Sequence, residues 1–158
     1  MYRQVLVALD GSVLAERVLP HVEWLAEKSG ATVMLLRATT SVERIIAESS
    51  QFGQAAVPMT SGVDATELVN AERAEASEYL DEVAGRLRGR GITVETMTPE
   101  GSADQEILEA ARRLPADLIL MTTHGRSGLG RLVFGSVAEG VLRSSPCPVL
   151  LIRASDAT

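Results

Sequence analysis

Residues 122 to 136 read TTHGRSGLGRLVFGS. They concentrate residue types that handle anions: four glycines, Arg126, Arg131, His124 and a hydroxyl side chain at each end. Glycine lets a backbone approach a ligand closely, and the exposed N–H groups at a helix start attract phosphate. The far end carries the clearest physical signal. Gly135 and Ser136 introduce the helical pattern SVAEGVLR, with Ser136 and Glu139 at capping-box spacing. A phosphate at such a start gains about 0.3–1 kcal/mol from the helix dipole, besides direct hydrogen bonds. Gly125, where the chain leaves an apolar run, offers close approach at the other end.

Familiar phosphate patterns are absent. A Walker loop needs G-x-x-x-x-G-K-[ST], whereas Lys28 is the only lysine in the chain. The glycine spacing of GRSGLG is also not that of the dinucleotide fingerprint. Two readings of these residues therefore stand side by side: a phosphate cradle, or a glycine-rich turn with an ordinary helix cap and solvated arginines. Asp10, in LDGS, has the same two faces, as a ligand contact or a plain helix-start residue.

The elements that position these residues follow from hydrophobic period. Residues 4–9, 31–38 and 117–122 are short and almost wholly apolar, as strands covered on both faces are. ITVETMT, 92–98, alternates like a strand nearer a sheet edge, and CPVLLIR supplies the last strand. Between them lie four helices. The first runs from Ser12 to a C-cap at Gly30, with Pro20 imposing a kink or a late start. The second spans roughly 65 to 89, with Leu68, Ala71, Ala76, Tyr79, Leu80, Val83 and Leu87 on its apolar side. The third opens on a capping box of Ser102 and Gln105, and the fourth is SVAEGVLRSS. Residues 39–63 form a variable polar stretch, in which SVERIIAES has the makings of a helical turn or two.

Strict alternation predicts a single-domain α/β fold over 1–158, an open five-stranded parallel sheet wound on both faces, in the order 3-2-1-4-5. Ligands of such sheets bind beyond the carboxyl ends of the strands where the order reverses, here between strands one and four. Asp10 and the 122–136 stretch both fall there.

Composition excludes several alternatives. A net charge of −6 and 3% aromatic residues argue against a nucleic-acid surface. No apolar run reaches membrane-spanning length, and MYRQVLVALDGS lacks an export pattern, so the expectation is no membrane and a cytoplasmic location. Cys147, the only cysteine, has no internal partner and reads as the start of a buried strand. His21, Trp24 and the five methionines read as structural or packing residues. With no second acidic metal ligand at a fixed spacing and no catalytic lysine, little turnover is expected, at most a weak ATPase.

VLVALDGS and DLILMTTHGRSGLGRLVFGSVAEGVLRSSPCPVLLIR closely resemble the universal stress protein family, and the match covers nearly the whole chain outside 39–63. The resemblance implies a Rossmann-like fold related to the adenine nucleotide alpha hydrolases. Nucleotide-binding members carry G-x2-G-x9-G-[ST]. This chain has Thr122, Gly125, Gly135 and Ser136 at those positions, so Thr122 replaces the first glycine. The resemblance further implies an ATP-binding stress-response protein, with AMP or ADP as alternative occupants. Gly125, Gly135 and Ser136 then surround the phosphates; Arg126 and Arg131, read from their charge and not from the resemblance, would offset the phosphate charge. Asp10 lies by the sugar or an accompanying Mg ion, and the Ala38 backbone lies against adenine. A homodimer through the C-terminal strand is implied too, together with an unknown protein partner. Loss of nucleotide binding, with action through protein contacts alone, is the alternative that Thr122 marks.

Overall fold

The computed structural model describes residues 2–41, 65–124 and 135–154. Five strands form one parallel sheet: β1 (Gln4–Ala8), β2 (Thr32–Leu36), β3 (Val94–Met97), β4 (Leu118–His124) and β5 (Val149–Ala154). Their order is β3-β2-β1-β4-β5, as the alternation predicts. Four α-helices complete the described chain: α1 (Leu19–Ser29), α2 (Ala65–Arg88), α3 (Ala103–Arg113) and α4 (Ser136–Ser144).

The apolar runs are continuous because each central strand is covered on both sides. Val5 and Val7 pack with Leu118 and Leu120 into one core that includes Val22 of α1 and Leu80, Val83 and Leu87 of α2. Leu6, between the two valines, faces the other way, into a core with Ile119, Met121, Ile107 of α3 and Val141 of α4. A period of two along β1 and β4 thus supplies both cores at once. Fully burying a side chain of this size contributes about 1.5–3 kcal/mol, so the central strands anchor the fold.

At the amino end of the sheet Asp117 ties β1 to β4. Its Oδ2 accepts the N–H groups of Arg3 and Gln4 at 2.6 and 2.9 Å, and its own N–H donates to the Gln4 carbonyl at 2.8 Å. Those hydrogen bonds hold its carboxyl below the usual aspartate range.

Several boundaries differ from the expectation. The first helix starts late: a 3-10 turn over Ala15–Val18 precedes α1, and Pro20 sits in the first turn of α1, where a missing N–H costs no intrahelical bond. Gly30, at φ +69°, closes that helix. Leu68 and Ala71 are exposed while Val69 is buried, which turns the apolar stripe of α2 by one position at its start. Neither expected capping box forms. Ser102 Oγ donates to Asp104 Oδ1, and Gly135, not Ser136, is the N-cap of α4, leaving Glu139 to pair with Arg143 at 2.8 Å. Trp24 is 66% exposed and His21 is exposed, so neither is a packing residue; both lie on the outer side of α1, away from Val22 and Ala26. Cys147 is only half-buried, just before β5, with burial pushing its thiol up. Expectations for 42–63 lie outside the described residues. Among the described residues no helix is long and apolar enough to cross a membrane.

Candidate functional site

At the carboxyl end of β1 the Leu9 N–H still donates to the Leu36 carbonyl at 2.9 Å, after which the chain leaves the sheet. Asp10 Oδ1 accepts the Ser12 N–H at 2.9 Å, closing a tight turn across Gly11, whose φ of +85° suits glycine. Ser12 Oγ then accepts the Ala15 N–H at 3.0 Å and so caps the 3-10 turn. The aspartate is exposed, and hydrogen bonding fixes its orientation.

Beside it, the chain after β2 is clamped by the β3–α3 connection. The Thr39 N–H donates to the Pro99 carbonyl at 2.9 Å, and the Gly101 N–H donates back to the Thr39 carbonyl at 2.9 Å. Thr39 is 2% exposed, and the clamp holds Ala38 as a fixed wall.

On the other flank β4 ends in Thr122, Thr123 and His124, and α4 begins at Gly135 after residues 125–134. Gly135 is extended, with φ −62° and ψ 156°, and its carbonyl accepts the Glu139 N–H at 3.0 Å. Among the described residues no side chain caps this helix start, glycine having none to offer. The opening N–H groups of α4 are therefore unclaimed by a cap and suited to an anion.

These segments surround a cleft of about 200 Å³ on the α3/α4 side of the sheet. Asp10, Ala38, Thr122, Gly135 and Ser136 all line it, so five of the residues singled out in the sequence meet at one place. Gly125 and Arg126 lie outside the described residues, as do Arg131 and the side chain of His124. Apolar groups complete the lining, among them Leu36, Ile107 and Met121. An apolar cleft with a few convergent polar groups is the usual form of a small-molecule site.

Two contributors were not anticipated. Thr123 lines the cleft, is 6% exposed, and its Oγ1 has no hydrogen-bond partner among the described residues. The start of α3, at Ala103, brings a second helix N-terminus to the rim. Two threonines ending an otherwise apolar strand were a readable signal; the approach of α3 depends on tertiary packing.

The cleft combines an anion-attracting helix start, a carboxylate and an apolar wall. Asp10 is the only carboxylate lining it among the described residues, and no group of three His, Cys, Asp or Glu there is placed to hold a metal by itself. A divalent ion held by one aspartate would complete its shell with ligand oxygens and water, as Mg commonly does.

Residues 1–153 match the model of the universal stress protein family. Universal stress protein YxiE of Bacillus subtilis is 31% identical over 153 residues, spanning 97% of this chain and 100% of YxiE. Universal stress protein MJ0577 of Methanocaldococcus jannaschii is 29% identical over 157 residues, covering 97% of this chain and 96% of MJ0577. The solved structure of MJ0577 is similar to this fold with a TM-score of 0.77 at 28% identity over 99% of each chain. A universal stress protein crystallised in complex with cAMP shares the fold at 24% identity, with a TM-score of 0.67 over 98% of each chain.

Proposed function

The chain belongs to the universal stress protein family, and we propose that within it this chain is a nucleotide-occupancy sensor that binds ATP with Mg, or AMP or ADP, with little or no turnover. One observation carries the reading: Asp10, Ala38, Thr122, Gly135 and Ser136, from separate segments, line a single cleft where the strand order reverses. In this reading the uncapped start of α4 takes the phosphates, Gly135 allowing close approach and Ser136 adding a hydroxyl. Gly125 and Arg126 serve the same phosphates from the other end of the 125–134 segment. The Ala38 wall lies along adenine, and Asp10 meets the ribose or the Mg ion. Thr122 borders the ribose.

Low turnover is consistent with a cleft that shows one carboxylate among the described residues, because phosphoryl transfer depends on dense electrostatic positioning. A sensor also needs a reader. A homodimer formed along the outer edge of β5, which also covers an apolar edge strand, and a protein partner of unknown identity fill that role in the cytoplasm.

Chromatography of nucleotide released by heat from fresh protein, followed by calorimetric titration with Mg-ATP and AMP, tests the reading. Bound or titratable nucleotide, held at least about tenfold more weakly in Asp10→Ala, is the expected result. Failure to bind at millimolar ligand would overturn it and favour a member acting through protein contacts alone. ADP release above the Asp10→Ala background would instead identify a weak ATPase.

A further inference from the structure

The Asp10–Gly11–Ser12 turn rests on a side chain outside the cleft. Arg37, immediately after β2, follows the alternation of Val33 and Leu35 and so leaves the sheet on the α1/α2 face. Its side chain is 16% exposed; Nη2 bonds Glu75 Oε1 of α2 at 3.1 Å, and its Cζ lies 5.5 Å from the centroid of the Tyr79 ring. Gly11 packs directly against this guanidinium: a Cβ there would stand 2.9 Å from both Cζ and Nη1. The Tyr79 hydroxyl is pushed up to about 12, first by burial and then by the charges of Glu16 and Asp10, so the ring under the cation stays neutral.

We propose that Arg37 is a positioning residue: stacked on Tyr79 and tied to Glu75, it forms the floor of the Asp10–Gly11–Ser12 turn and so sets where the Asp10 carboxylate meets a nucleotide. The role suits arginine, whose planar group covers an aromatic face while keeping a directed bond to a carboxylate; an ammonium does only the second. It also suits Gly11, whose positive φ disfavours other residues and whose lack of a Cβ lets the guanidinium pack against the turn. Helix α2 thereby reaches the Asp10 turn through Arg37, without lining the cleft.

The ligand half of this proposal rests on the nucleotide reading, so two measurements separate them. In ligand-free protein, Arg37→Met speeds amide exchange at Ser12 and Ala15 at least about fivefold, while exchange in central β1 and β4 stays unchanged. In Mg-ATP titrations Arg37→Met weakens binding about five- to tenfold, but costs less than about twofold in an Asp10→Asn background, because contacting residues couple. Tyr79→Phe keeps the affinity and Tyr79→Leu repeats the loss. Unchanged exchange at Ser12 in Arg37→Met overturns the positioning role, and so does an equal loss of affinity in both backgrounds. Native protein that binds no Mg-ATP overturns the nucleotide reading and the ligand half with it, whereas the exchange result still decides the support of the turn.

Discussion

Replacing Gly135 with alanine separates ligand contact from folding. At φ −62° and ψ 156° the backbone suits any residue, and among the described residues a Cβ there meets no atom within 4 Å. As an N-cap, alanine is worse than glycine by about 0.5–1 kcal/mol. Removing glycine from the unfolded chain returns about 0.4–1 kcal/mol. The two nearly cancel, and a residue of about 0.5 kcal/mol shifts Tm by only ~2 °C in a chain of this size. The added methyl, however, stands at the rim of the cleft, where the uncapped α4 N–H groups would meet phosphate. Loss of one charge-assisted hydrogen bond, about 1.5–3 kcal/mol, weakens binding roughly 10- to 150-fold. Calorimetric titration with Mg-ATP beside a thermal melt measures both quantities. Gly101→Ala is the stability comparison, since Gly101 has φ +151°, a backbone that L side chains rarely adopt; it costs about 1–3 kcal/mol of stability. An intact Gly135→Ala protein with Kd within twofold of the native value would refute the placement of phosphate at α4.

Thr122→Gly removes a branched side chain from the cleft and tightens Mg-ATP at least about threefold, at a cost of about 1 kcal/mol in stability; weaker binding would instead make the Thr122 hydroxyl a ligand contact. Leu151→Pro converts a dimer to a folded monomer in sedimentation: Pro148 O accepts the Ile119 N–H, so by alternation the Leu151 N–H points to the outer edge of β5, and an unchanged mass with native helicity would dismiss that interface. Asp117 governs part of the acid response. Its folded value lies below the ordinary 3.8, so its stabilisation is complete above that pH and is lost as pH falls through the depressed value. Urea midpoints should therefore fall less steeply below pH ~4 in Asp117→Asn than in the native chain, and parallel curves would count against the Asp117 tie.

Topology was legible because central parallel strands leave an unmistakable record: VLV in β1 and LIL in β4 are apolar at every position, and helices of period 3.6 separate them. The switch point, and with it the meeting of Asp10, Ala38, Thr122, Gly135 and Ser136, followed from that order. Caps were less legible: Ser102 does take the N-cap position but turns its hydroxyl to Asp104, and Ser136 lies one residue inside its helix, behind Gly135. Trp24 misled for a related reason: its size suggested the core, but its position on α1 points outward. Arg37 carried no local signal, since its partners Glu75, Tyr79 and Gly11 are distant in the chain.

The exposure of Trp24, the chain's sole tryptophan, decides which spectroscopy will work. An indole already in water has little emission shift left to show on unfolding, so its fluorescence will understate the transition that circular dichroism follows. It sits on α1, whose core lies across the sheet from the cleft, so it will be nearly blind to nucleotide as well. A blue shift in this protein would therefore report a surface covering α1, and would serve as an intrinsic probe for a binding partner there.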